Sequence, residues 1–280
     1  MRITESCAEC LYDKQKHLTD NETYLARVRE IIENRSEEDT SPYLVYLFDK
    51  EYVKCFGERY SYADIKKQYN DLMLSMEAEI RKRIEESDEP LKEALFLARV
   101  GNYIDFGAMN HVDTNVFLQL FEHVQISARD EKTYQSFLEE CEHAKNFLLV
   151  ADNCGEIVLD KLMLEQLRRR FPKLDITVLV RGGEVLNDVI EEDASYVGID
   201  KVARILPNGA AVAGTIYGML NDAAKEVLDH ADVILAKGQG NYESLSNHGR
   251  HIFFAFLCKC DHFAAKFGVE KLTGMFVEER

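Results

Sequence analysis

Val150 to Asp160 reads V-A-D-N-C-G-E-I-V-L-D. An apolar run, Phe147 to Ala151, ends on two adjacent oxygen-bearing side chains, Asp152 and Asn153. Gly155 follows, and an amphipathic segment at helical spacing starts at Glu156. The order predicts strand, polar tip, glycine turn and helix. Such junctions bring side-chain oxygens and free backbone N–H groups to one edge of a sheet, where hard cations and phosphates bind. An Asx-turn that merely caps the following helix would use the same residues. The choice between the two depends on what the rest of the chain brings to that edge.

Downstream, the period repeats. Apolar runs at 147–151, 176–180, 202–206, 233–236 and 252–257 alternate with helical patterns at 156–170, 186–194, 217–229 and 242–247. Strands alternating with helices predict right-handed crossovers and a sheet covered on both faces. The expected fold is therefore α/β, a three-layer α/β/α Rossmann-like core with a mainly parallel sheet. The last run, with F-F-A-F-L-C at 253–258, would also suit a buried helix. Upstream the chain reads as helical. Leu25, Val28, Ile31 and Ile32 share a face behind Asp20 or Asn21 as cap, and Tyr62, Ile65, Tyr69, Leu72, Met73, Met76 and Ile80 hold helical spacing. A further helix starts near Leu91. We expect a helical N-terminal region over residues 1–145 and a Rossmann-like catalytic domain over 146–280, with some N-terminal helices packed on the sheet.

The 280 residues carry 34 Lys+Arg against 50 Asp+Glu, a net charge of −16. So acidic a surface disfavours nucleic acid and anionic membrane as partners. It leaves room for a small anionic substrate, because a metal ion reverses the local sign. No apolar segment follows the N-terminal M-R-I-T-E-S-C-A-E-C, and no run approaches the roughly 20 residues of a membrane span. The expected location is cytoplasmic. Seven scattered cysteines suit reduced thiols, among them C-x-x-C at Cys7 and Cys10 and C-x-C at Cys258 and Cys260.

In a parallel sheet every strand ends at the same edge. Asp152 and Asn153 follow the first strand. Arg181, Gly182, Gly183, Asn187 and Asp188 follow the second, and Pro207, Asn208 and Gly209 the third. Lys237, Gly238, Gln239, Gly240, Asn241 and Glu243 follow the fourth. Asp152, Asn153 and Asp188 are hard oxygen ligands suited to Mg²⁺, Mn²⁺ or a similar ion. Lys237 in K-G-Q-G-N can meet a phosphate, although a solvated loop lysine would look the same. The segment is no Walker loop, and no G-x-G-x-x-G marks a dinucleotide site. Gly101–Gly107, G-N-Y-I-D-F-G, places Asn102 and Asp105 between two glycines, as a helix C-cap and turn also would.

D-N-C-G-E-I-V-L-D at 152–160, R-G-G-E-V-L-N-D at 181–188 and K-G-Q-G-N-Y-E at 237–243 resemble the signature segments of the metal-dependent damage-control phosphatases. This family was long catalogued as a domain of unknown function and as an acidic-residue-methyltransferase-like metal-binding domain. G-N-Y-I-D-F-G, Cys7-x-x-Cys10 and Lys259-Cys260 are similar to its bacterial and archaeal branch. Together these segments span almost the whole chain. The resemblance implies a divalent metal, Mg, Mn, Co or Ni, held by Asp152, Asn153 and Asp188. It also implies hydrolysis of phosphate monoesters of small, damaged or side-product metabolites such as sugar phosphates. On this reading Asp152 and Lys237 are the catalytic candidates, and Asn102, Asp105, Arg181, Gly238, Gly240 and Asn241 are the substrate contacts. The nucleophile is water or a carboxylate such as Asp152, and a carboxylate engaged with metal is hindered, which favours water. Glu156 is read as a partner of the ligands or as a first-turn helix residue. Cys7, Cys10 and Cys260 are expected to come together. Cys154 stands where a small residue such as alanine is frequent, and Gly183-Glu184 where proline is common. Three rival readings are a methyltransferase using S-adenosylmethionine, a non-catalytic phosphometabolite-binding protein, and a helical interaction module on an inert core. The leaving group and the oligomeric state are not legible.

Overall fold

A computed structural model describes residues 3–105 and 113–280. Phe106 and Gly107, the end of the G-N-Y-I-D-F-G segment, lie outside the described residues. Seven helices come first: α1 (Glu5–Leu18), α2 (Glu22–Glu33), α3 (Ser41–Phe56), α4 (Ala63–Glu86), α5 (Pro90–Gly101), α6 (Thr114–Glu122) and α7 (Ala128–His143). Their starts follow capping chemistry. The Thr4 and Asn21 side chains accept from the backbone N–H groups of Cys7 and Tyr24, satisfying donors that the first helical turn leaves open. Ser127 and Asp130 close a reciprocal capping box at α7.

The second half alternates: β1 (Asn146–Val150), α8 (Glu156–Arg170), β2 (Asp175–Val180), α9 (Glu191–Val197), β3 (Arg204–Pro207), α10 (Asp222–His230), β4 (Val233–Lys237), α11 (Gly238–Leu245), β5 (Ile252–Leu257), α12 (Asp261–Phe267) and β6 (Gly274–Glu279). The strands form one sheet in the order β3-β2-β1-β4-β5-β6, parallel except for β6, which runs antiparallel to β5. The order reverses direction between β1 and β4, which opens a crevice at the carboxyl edge.

Alternate residues of each strand face opposite layers. Phe147, Leu149, Val178, Val180 and Leu235 join a core with α4, α5, α7 and α8. Leu148, Val150, Leu179, Ile234 and Ala236 join a second core with α10 and α11. The first core thus crosses residue 145: four N-terminal helices, α4 to α7, contribute to the layer over the sheet. Helices α1 to α3 pack around a cluster of their own, with Ala8, Tyr24, Val28, Leu44 and Phe48.

Two local expectations are corrected and one ambiguity is resolved. The segment 186–194 is not one helix: Leu186 has φ +47° and a turn precedes α9 at Glu191. K-G-Q-G-N is not a loop, because β4 ends at Lys237 and α11 begins at Gly238. The ambiguous run at 252–257 is a strand, and it is flanked by β6, which the sequence reading did not foresee.

Candidate active site

The register of the sheet builds the site. Val150 pairs with Ala236, so one or two residues further Asp152 leaves β1 beside Gly238. On the other side Val150 pairs with Leu179, which brings Arg181 level with Asp152. The chain after Arg181 folds back: Val189 donates its N–H to the Asp152 carbonyl (2.8 Å), Cys154 donates to Asn187 (2.9 Å), and Asn153 and Asp188 form an antiparallel bridge. Asp152, Asn153 and Asp188 therefore stand side by side, on two loops stitched by backbone bonds. Asp188 lies in this bridge, ahead of the start of α9 at Glu191.

A buried arginine joins the two acids. Arg181 Nε donates to Asp188 Oδ2 (2.6 Å) and Nη2 to Asp152 Oδ1 (3.2 Å), while Nη1 donates to Asn241 Oδ1 (3.0 Å). Asp152 Oδ2 also accepts from the amides of Asn102 (3.0 Å) and Asn153 (2.7 Å). Burial, and then the charges of Asp188, Glu156 and Asp105, hold the Asp152 carboxyl well above its usual range despite Arg181. Burial likewise pushes Asp188 up to about 6, against the pull of Arg181. In both acids desolvation is the largest cause, and Arg181 offsets only part of it.

Behind them is a second buried group. Lys237 Nζ lies 2.5 Å from Asp160 Oδ1, 2.7 Å from Glu156 Oε1 and 3.1 Å from the Ala98 carbonyl. Burial would lower the Lys237 pKa, but Asp160 and Glu156 outweigh it and the ammonium is favoured. Burial raises Asp160 to about 7 in spite of Lys237. Glu156 is both the first residue of α8 and a partner of the site: its Oε2 accepts from Asn102 (3.1 Å) and Asn153 (3.0 Å).

The helical region fixes the turn. Asn70 of α4 accepts the Gly155 N–H at 2.6 Å. Gly155 has φ +83°, a conformation that glycine adopts without penalty. Gly238 has φ +79°, and a Cβ there would fall 1.8 Å from Asp152 Oδ2. Gly238→Ala is therefore expected to cost about 1–3 kcal/mol of stability and to turn the Asp152 carboxylate, lowering divalent-metal affinity. Calorimetric metal titration and thermal melting check this, and a variant with wild-type metal affinity would remove Asp152 from the ligand set.

A cavity of about 240 Å³ opens above these loops. Of the residues that the sequence singled out, Asp105, Asp152, Asn153, Asp188 and Gly240 line it. Asn102, Arg181, Lys237, Gly238 and Asn241 stand behind the lining. Asn102, Arg181, Lys237 and Asn241 are each 1% exposed or less and bonded to neighbouring groups. The sequence reading expected a phosphate contact from Lys237 and substrate contacts from Asn102, Arg181 and Asn241; here these side chains are bonded to Asp152, Asp188, Glu156 and Asp160 or to the adjacent backbone.

Cys7, Cys10 and Cys260 line the same cavity, so both chain ends reach it. Sequence reasoning missed Lys14, on the cavity-facing side of α1, because α1 itself was not foreseen. It also missed the partnership of Lys259 with Asp105 (2.5 Å). Asp160 was quoted but not read; standing four residues after Glu156, it shares that residue's helix face.

The residues fit a hard divalent cation. Asp152, Asn153 and Asp188 are oxygen donors on one wall, the donor set that such a cation takes. Among the described residues, the ligand atoms of Glu140, His251 and Glu278 also lie within 4.8 Å of one another. That partly exposed group, on α7, on β6 and at His251 just before β5, shares no residue with the cavity, and Arg280 pairs with both of its glutamates. No helix among the described residues is long and apolar enough to cross a membrane.

The family model for the damage-control phosphatase ARMT1-like domain matches residues 2–273. A damage-control phosphatase of Archaeoglobus fulgidus is 30% identical over 96% of each chain. One of Pyrococcus horikoshii is 31% identical over 64% of this chain and 61% of its own. A crystal structure of a DUF89 family protein from Pyrococcus horikoshii, 24% identical, shares the fold over 100% of both chains with a TM-score of 0.83.

Proposed function

The chain belongs to the ARMT1-like damage-control phosphatase family, and we propose that it hydrolyses phosphate monoesters of small metabolites with a divalent cation held by Asp152, Asn153 and Asp188. The observation that carries the reading is the wall of three adjacent oxygen donors in a cavity of metabolite size, two of them buried carboxyls. A divalent cation in this place supplies Lewis-acid charge to a phosphoryl group and its leaving oxygen.

The chain's own residues do the rest. Arg181 sets the spacing of Asp152 and Asp188 by donating to both. Asn102 fixes the rotation of Asp152 and is tied in turn to the Leu257 N–H (3.2 Å). The Lys237–Glu156–Asp160 group anchors Asn102 and Asn153 from below. Such support is what preorganises a site. Glu243, on the cavity wall, is pushed up to about 7 by burial. A carboxyl poised there can exchange a proton with water or with a departing alkoxide near neutral pH. Water is the nucleophile favoured by this arrangement, because Asp152 is already engaged by three side chains.

The test is phosphate release from p-nitrophenyl phosphate and from a panel of phosphorylated metabolites. Exhaustively chelated protein is expected to be inactive and to recover on addition of Mg²⁺, Mn²⁺, Co²⁺ or Ni²⁺. Full activity in excess chelator would refute the proposal, and a protein that binds phosphate without releasing any from esters would be a sensor.

A further inference from the structure

Building on the phosphatase reading, we propose that Lys14 is the side chain with which the protein itself meets the substrate's phosphoryl group, which makes helix α1 part of the binding site. Lys237 and Arg181, the cations offered by the motif segments, are both bonded to buried carboxylates and stand outside the cavity lining. Among the described residues, Lys14 is the lysine or arginine that the lining does contain, against five carboxylates. A phosphomonoester dianion entering so acidic a space needs positive charge on more than one side.

Helix α1 is built to present it. Cys7, Cys10, Leu11 and Lys14 lie at i, i+3, i+4 and i+7, one face of a helix, and all four line the cavity. The helix is held by the Thr4 cap and by Ala8 and Leu11 in the α1–α3 core, so the wall is fixed. The electrostatics agree. Burial weakens the hold of Lys14 on its proton, with Asp105 opposing. Lys259 also lies 2.5 Å from Asp105, so two lysines share that carboxylate. An arriving phosphate would add negative charge beside the buried ammonium, where a charge-assisted hydrogen bond is strong.

The experiment is calorimetric binding of inorganic phosphate to the Mn²⁺-loaded protein, alongside steady-state hydrolysis of p-nitrophenyl phosphate. Lys14→Met keeps the aliphatic stem and removes the charge. It is expected to weaken phosphate binding and raise KM by about tenfold each, with metal affinity and melting temperature unchanged. Lys14→Arg should recover most of the loss. Phosphate affinity in Lys14→Met within about twofold of wild type, well below the change expected for a lost charged contact, would overturn the assignment. Metal affinity lost in parallel would also overturn it. Lys14→Gln serves as a second neutral variant, and failure of both to fold would make Lys14 a structural residue and end the proposal. A wild type that binds phosphate but hydrolyses no ester would sink the phosphatase reading and leave Lys14 in place. Turnover with undiminished phosphate binding in Lys14→Met would sink Lys14 alone. A wild type that does neither would sink both.

Discussion

Asp188→Asn is expected to remove phosphatase activity and most divalent-metal affinity while leaving the fold intact. Asp188 is 3% exposed, lines the cavity and stands in backbone register with Asn153. An amide of the same shape keeps the bridge and loses the charged ligand. The apo protein should not suffer. The Asp188 carboxyl is pushed up to about 6 by burial, even with Arg181 at 2.6 Å. An acid with a raised folded-state pKa binds its proton more tightly in the native state. Its contribution to stability is therefore present below about pH 4 and is lost as pH rises through about 6. The apo variant lacks that loss and is expected to be more stable than wild type at neutral pH by roughly 1–3 kcal/mol. Near pH 4 the two should converge. Metal titration, phosphate release and thermal melting of chelated protein at both pH values test this. Wild-type turnover with full metal-dependent stabilisation in the variant would end the ligand role of Asp188.

Lys237→Met is expected to damage stability first and activity as a consequence. The ammonium is fully buried and faces two carboxylates, Asp160 at 2.5 Å and Glu156 at 2.7 Å. Removing it strands both acids, at a cost of about 3–5 kcal/mol. Glu156 then loses its anchor, and with it the amides of Asn102 and Asn153 that orient Asp152. Metal affinity should fall together with the melting temperature. A Lys237 that met the phosphate, as the sequence reading has it, would instead lower turnover and leave the melting temperature unchanged. Adding Asp160→Asn to Lys237→Met should restore part of the stability by removing one stranded charge. A wild-type melting temperature in the single variant, with turnover alone reduced, would return Lys237 to the substrate.

Much of the fold was legible because its signals are local. Strand-tip polarity at Asp152, Arg181 and Gly238 marks the carboxyl edge of a parallel sheet, and the apolar alternation of 147–151 and 176–180 marks its strands. Asp152 and Asn153 were legible as a pair for the same reason, since they stand just past β1, whereas Asp188 lies well beyond the end of β2 and meets them through the bridge to Asn153. What failed was side-chain direction. Lys237 ends β4 and leads straight into α11, so its side chain points into the layer beneath, where Asp160 and Glu156 of α8 wait. Nothing in K-G-Q-G-N tells a buried lysine from a phosphate-facing one. The pair Glu156 and Asp160 did carry a signal: two acids one helical turn apart in an apolar helix call for a buried cation. Strand β6 was missed because G-M-F-V-E-E is short and ends on two acids, and it takes its pairing from β5 rather than from its own pattern. Lys14 was missed because α1 is mostly polar, and only its docking against α2 and α3 shows which face meets the cavity.

The central claim is that Asp152, Asn153 and Asp188 hold the metal. An anomalous difference map from crystals grown in Mn²⁺ tests it most directly. The account predicts a peak within bonding distance of side-chain oxygens from all three residues, on the cavity wall. A peak at Glu140, His251 and Glu278 alone, or none near Asp152 and Asp188 in protein that shows metal-dependent phosphate release, would contradict it.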